Sequence, residues 1–183
     1  MPVPDDIRLI RRATPDDASA LAVFAAEVFP LGCPGTAPSD LDAYISAELT
    51  PARFLALIAD PNIIVLVAET DERIIAYMVV ARRSPHLGIP APAPAEFRKL
   101  YVAPAFHGSG AAAALMHSAL AILAAEGPRS ILLSTFHQNA RAIAFYKKFG
   151  FEVVGEQIFF VGTDPQKDVL MQRAAAAAIP AEI

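Results

Sequence analysis

The run Ile63-Ile64-Val65-Leu66-Val67 is β-branched and nearly continuous, and a second apolar stretch, Arg73–Ala81, returns after the polar triplet Thr70-Asp71-Glu72. β-Branched side chains pack well on a pleated surface, and a polar triplet turns the chain. The segment therefore reads as an antiparallel hairpin, strand Asn62–Glu69 followed by strand Arg73–Ala81. Any fold for this chain has to accommodate that sheet.

The other elements follow from their stop and start signals. Ile7–Arg11 reads as a short strand. Thr14-Pro15-Asp16-Asp17 is a helix start, and Leu21, Phe24, Ala25 and Val28 recur at helical spacing until Phe29-Pro30 ends the run. Residues 30–38 hold three prolines and two glycines, which makes them a loop. Ser39 and Thr50-Pro51 start two more short helices. Ser84–Ala95 holds four prolines and reads as an extended segment, either a passive connector or a lid. Glu96–Val102 is a strand, Gly108–Glu126 a helix closed by Gly127-Pro128, Arg129–Thr135 a strand, and Asn139–Phe149 a helix closed by Gly150. Phe151–Val161 and Lys167–Gln172 are final strands. The order predicts an α/β fold, a mixed sheet of about seven strands with flanking helices. Residues 1–173 form one domain in this reading, and 174–183 an Ala-rich tail.

Composition narrows the function classes. Of 183 residues, 19 are acidic and 15 are Lys or Arg, giving a net charge of −4. That balance disfavours nucleic acid and leaves cationic or neutral partners. Cys33 is the single cysteine, so no intramolecular disulfide forms. Four scattered histidines and one cysteine show no metal-ligand spacing. No apolar run reaches the ~20 residues of a membrane span. The opening MPVPDDIRLI lacks the layout of a signal peptide, and the expected compartment is cytoplasmic.

Two segments carry chemistry. In Leu100–Leu115 a strand gives way to a loop and then to a helix beginning at small residues. The first amides of a helix lack intrahelical acceptors and point along the positive end of its dipole. Gly108 and Gly110 let an anion approach the backbone, and Ala112 is nearly as small, so a diphosphate suits the site. Ala113 stands where a dinucleotide fingerprint needs its third glycine, and no Gly-Lys-Ser/Thr tripeptide occurs. The loop alone is also compatible with a simple turn before an Ala-rich helix. In the second segment, Asn139 suits an N-cap, Lys147 and Lys148 complement the helix C-terminus, and Tyr146 lies seven residues after Asn139 on the same face. On its own, Tyr146 reads equally as a core aromatic with its hydroxyl at a polar edge.

Together the segments resemble those of GNAT acetyltransferases. His107, Gly110 and Ala112 fall on the coenzyme A loop pattern [Arg/Gln]-x-x-Gly-x-[Gly/Ala], and Asn139, Ala142, Phe145, Tyr146, Gly150 and Phe151 on the following helix pattern. The ending Phe159–Met171, with Phe29-Pro30 and Asp40–Ile45, is similar to the PaiA-like spermidine/spermine N-acetyltransferases. The resemblance implies the acyl-CoA N-acyltransferase fold and transfer from acetyl-CoA to an amine, with Tyr146 as the acid. It implies cofactor contacts from Leu100, Tyr101, Val102, His107, Gly108, Ser109, Gly110, Ala111, Ala112, Asn139, Phe145 and Tyr146. Ser109 departs from the Arg or Lys common at its position, which removes one phosphate partner. Many relatives carry Glu at the position of Arg98. Here the carboxylate is at Glu96, on the same face by strand period, where it is either a base or the ion-pair partner of Arg98. His137 is a second candidate base, since histidine titrates near neutrality.

The acceptor side is read from the first fifty residues, whose eight acids outnumber three arginines. These acids either line an amine site, which favours a polyamine or another small cationic amine, or cap helices and face solvent. The rival expectations are a protein or peptide N-acetyltransferase and a weakly catalytic acetyl-CoA sensor. Sequence leaves the oligomeric state open, a homodimer included.

Overall fold

The structure is a computed structural model that describes residues 9–70, 73–85 and 93–175. Its strands are β1 (Leu9–Arg12), β2 (Ile63–Glu69), β3 (Ile74–Ala81), β4 (Ala95–Val102), β5 (Ile131–Phe136), β6 (Glu152–Val161) and β7 (Asp164–Arg173). Its helices are α1 (Ala18–Val28), α2 (Pro38–Glu48), α3 (Pro51–Ala59), α4 (Ala111–Ala125) and α5 (Ala140–Lys148). One mixed sheet of seven strands runs in the order β1-β2-β3-β4-β5-β7-β6. Among the described residues only the β4–β5 pair is parallel, and the connection between them carries α4, as a parallel crossover requires.

Most boundaries fall where the local chemistry puts them. The Thr50 hydroxyl accepts from the Arg53 amide at 3.3 Å and starts α3. The Asn139 side chain accepts from the Ala142 amide at 3.0 Å and starts α5. Three helix starts differ from expectation. Thr14 leads into a 3-10 turn, Pro15–Asp17, before α1 begins at Ala18. α2 begins at Pro38 with Ala37 as its N-cap rather than at Ser39, because proline at the first helical position sets the dihedral angle itself. α4 begins at Ala111, three residues later than expected, since Gly108 (φ +85°) and Gly110 (φ +89°) are in left-handed conformations that no α-helix admits. β7 begins at Asp164 and leaves only Gly162-Thr163 at the β6–β7 turn. The expected Thr70-Asp71-Glu72 turn, the Ser84–Ala95 segment and the C-terminal tail lie partly outside the described residues.

The sheet is covered on both faces. Ile64, Leu66, Met78, Val80 and Phe97 pack with Leu115, Met116, Ala119 and Leu123 of α4. Val65, Val67, Tyr77 and Val79 pack with Leu21, Phe24, Ala25 and Val28 of α1 and with Phe54 of α3. Burial on both faces is why β2 and β3 are continuous apolar runs rather than alternating ones.

Tyr77 is fully buried in the second core, edge-on to Phe24 and Phe54 and stacked on Tyr101, and its hydroxyl has no hydrogen-bond partner among the described residues. An unsatisfied buried hydroxyl forfeits its hydration without return. Tyr77→Phe should therefore stabilise the fold by about 1 kcal/mol in urea unfolding. A destabilised variant would mean that the hydroxyl has a partner.

Candidate active site

β4 and β5 stay together for only three rungs, Ala95↔Ile131, Glu96↔Leu132 and Phe97↔Leu133. Both strands then continue, β4 to Val102 and β5 to Phe136, without pairing to each other. The divergence starts at a bulge. Val80 pairs with Phe97 and Val79 with Lys99, so Arg98 is an extra residue on β4. Bulges bend the strand that carries them and increase its twist. Past Phe97 the β5-facing edge of β4 is left unpaired, and a gap opens in the sheet.

Two cavities meet at this gap. One of about 580 Å³ lies against the start of α4, and one of about 370 Å³ lies toward α2 and the β6–β7 hairpin. Gly32, Leu100, Tyr101, Asn139, Ala142 and Tyr146 line both. Tyr146 is 9 % exposed, and its hydroxyl makes no hydrogen bond among the described residues. Burial pushes its phenol up to about 12, so it is protonated at neutral pH.

The larger cavity exposes backbone amides at the start of α4. The amides of Gly108, Gly110, Ala112 and Ala113 have no acceptor among the described residues. The Ser109 amide bonds to the Phe106 carbonyl at 3.2 Å, and the Ser109 hydroxyl accepts from the Ala111 amide at 3.3 Å. Ser109 thus folds into its own loop, and it is the one expected cofactor residue that does not line this cavity; the other eleven do. Gly108 is required by its backbone angle rather than by space, since a Cβ there would touch nothing.

Arg141 and Lys148 of α5 supply cations to the same cavity. One Arg141 amino nitrogen lies 2.8 Å from His107 Nδ1, and His107 Nε2 lies 3.1 Å from the Val102 carbonyl oxygen. The other Arg141 amino nitrogen lies 3.3 Å from His107 Nε2, so the guanidinium spans the imidazole edge.

The smaller cavity carries four charged side chains. Glu96 Oε2 accepts from Arg98 Nε at 3.0 Å and from the Ser84 hydroxyl at 2.6 Å. Lys99 Nζ donates to the Tyr44 hydroxyl at 3.2 Å, and burial lowers its ammonium to about 8. Asp168 on β7 is 7 % exposed and accepts from the Ser134 hydroxyl at 2.9 Å; burial raises its pKa. Tyr44 stacks on Phe29 with ring centres 4.3 Å apart and meets Phe159 edge-on, giving the cavity an aromatic flank.

The other sequence candidates lie elsewhere. His137 lines neither cavity, and its Nδ1 lies 2.9 Å from the Lys167 carbonyl oxygen. Of the acids among the first fifty residues, none that is described lines either cavity. Asp17 pairs with Arg11, Glu48 with Arg53, and Asp40 accepts from the amide and hydroxyl of Thr163. They are caps and pairs, so the smaller cavity is not an acidic funnel. Sequence reasoning missed Arg141, Lys99 and Asp168. A signal existed for Arg141, two residues past the Asn139 cap. Asp168 was legible only as a carboxylate beside the apolar Val169-Leu170-Met171.

Known proteins resemble this chain in sequence and in fold. A family model described as the Acetyltransferase (GNAT) family matches residues 35–151. An uncharacterized N-acetyltransferase of Mycobacterium tuberculosis is 39 % identical over 158 residues, covering 86 % of this chain and 97 % of that protein. The crystal structure of the PaiA N-acetyltransferase of Thermoplasma acidophilum, solved with coenzyme A, superposes with a TM-score of 0.74 at 22 % identity, covering 91 % of this chain and 98 % of that one. A ribosomal-protein-alanine N-acetyltransferase of Brucella melitensis superposes with a TM-score of 0.67 at 23 % identity, over 91 % and 99 % of the two chains. With its sheet opened beside a glycine loop and a tyrosine at the opening, this chain belongs to the GNAT family of acetyltransferases.

Proposed function

We propose that the protein transfers the acetyl group of acetyl-CoA to the primary amine of a small molecule by direct attack, inside the cell. The observation that carries this reading is the meeting of an anion cradle and a separate polar cavity at a gap faced by the Tyr146 phenol. The residues fit acetyl-CoA. Free amides of Gly108, Gly110, Ala112 and Ala113, with Arg141, suit the pyrophosphate. The unpaired edge of β4 at Leu100–Val102 suits an amide-bearing arm added as a strand. Arg141 compensates for the serine at position 109. Tyr146 then stands where the thioester sulfur leaves. A phenol held near 12 keeps its proton against a thiol of ordinary pKa ~8.5, so it stabilises the departing thiolate by donating a hydrogen bond.

Titration of the purified protein with acetyl-CoA in a calorimeter, followed by an amine panel read through thiol release, tests this. Binding with release is the expected result. Binding without release on any amine or peptide would support an acetyl-CoA sensor instead, and release only with peptides would support a protein acetyltransferase. Arg141→Ala should weaken acetyl-CoA binding by about 10-fold, the worth of one charge-assisted hydrogen bond. An unchanged Kd would remove Arg141 from the cradle.

A further inference from the structure

Lys99 and Asp168 share the smaller cavity, and neither has a partner of opposite charge within 4.0 Å among the described residues. The contrast with their neighbours is informative. Glu96 and Arg98, on the same wall, satisfy each other. Asp168 has one hydroxyl donor, from Ser134, and Lys99 has one hydroxyl acceptor, from Tyr44, whose ring centre lies 5.4 Å from Nζ. Holding a charge out of water without a counter-ion is costly, and such charges are retained where a ligand completes them. The two stand on opposite sides of the gap, Lys99 on β4 and Asp168 on β7, with β5 between. Asp168 and Ser134 line this cavity together with Tyr146. Lys99 lies against α2, at the Tyr44 end.

We infer that the acceptor is an amino acid, a primary amine that also carries a carboxylate, with its ammonium held at Asp168 and its carboxylate at Lys99. The inference rests on the acetyl transfer proposed above and names the acceptor class for it. One ammonium and one phenol suit a monoanion better than a phosphate, which takes more donors. The stacked Phe29 and Tyr44 and the edge of Phe159 flank the space with apolar surface for a side chain. A polyamine would place a second cation near Lys99.

The bound ammonium gives one proton to Asp168 and from there to solvent. The neutral nitrogen bonds to the acetyl carbon, the carbon–sulfur bond breaks with its electron pair on sulfur, and the second proton of the nitrogen ends on the thiol.

The test uses matched acceptors: phenylalanine with phenethylamine, 4-aminobutyrate with propylamine, and spermidine. Wild-type kcat/KM should favour at least one carboxylate-bearing member over its partner by 10-fold or more. Lys99→Met should shrink that ratio about 10-fold, which a purely structural lysine would leave alone. Asp168→Asn keeps the shape and the Ser134 contact, and should lower kcat/KM for both members of a pair. Preference for spermidine, for the carboxylate-free amines or for peptides would overturn the inference and leave acetyl transfer standing. A ratio unmoved by Lys99→Met would also overturn it. Thiol release with no acceptor, despite acetyl-CoA binding, would remove the acetyl-transfer reading and the inference together.

Discussion

Tyr146→Phe should lower kcat by roughly 10²-fold while leaving the Kd for acetyl-CoA within about 2-fold. The asymmetry follows from the position of the hydroxyl. Its ring packs edge-on against Phe145 and Phe151 and belongs to the core shared with α4, and phenylalanine keeps all of that. The hydroxyl itself bonds to nothing in the described residues, so its removal breaks no ground-state contact. Negative charge gathers on sulfur only as the thioester opens, and a donor aimed there contributes to the transition state alone. The measurement is single-turnover transfer beside calorimetric binding. Equal kcat for the two proteins would strip Tyr146 of its role. The phenol is held up at about 12, so the wild-type rate should show no loss from this group up to pH 10.

The second large effect is on stability. Lys99→Met should stabilise the fold by about 2 kcal/mol at pH 7, raising Tm by about 4–8 °C. Desolvation is the main cause of the lowered ammonium pKa. Glu48 and Cys33 oppose it, and Arg98 adds to it. Below pH 8 the ammonium is charged in both the folded and the unfolded chain, and the folded state carries the whole cost. Between about 8 and the ordinary value of 10.5, the folded lysine is neutral while the unfolded one is still charged, and the cost fades. The gain from Lys99→Met should therefore be full at pH 7 and nearly gone above pH 10, less what the Tyr44 contact contributes. Urea unfolding at the two pH values checks the sign. A variant less stable at pH 7 would mean that Lys99 has a counter-ion in the free protein. A stabilising loss of charge is what a binding residue predicts, since function and stability compete at such sites.

Much of the site was legible in sequence because its parts are local. The glycine loop, the Asn139 cap and the face shared by Asn139 and Tyr146 depend on residues within two helical turns of one another. The mixed sheet followed from the element order. The gap did not, because it depends on where a parallel pair stops, and periodicity carries no such information. Strict alternation from Phe97, which faces α4, would assign Lys99 to that side too. The bulge at Arg98 reverses that assignment and carries Lys99 and Tyr101 to the opposite side. The acids of the first fifty residues suggested an acidic funnel because composition counts charges without their partners. Arg11, Arg53 and the turn at Thr163 had already claimed three of them.

The bulge also sets how close this enzyme stands to an inert neighbour in sequence space. In-frame loss of the single codon for Arg98 would let the Phe97–Val80 and Lys99–Val79 rungs close up as consecutive ones. Every residue downstream would keep its face, so both cores would survive. The bend would go, and with it the reason for β4 to leave β5. Such a chain would fold, pass for a relative by nearly every residue, and have no slot between its strands for a thioester to reach an amine.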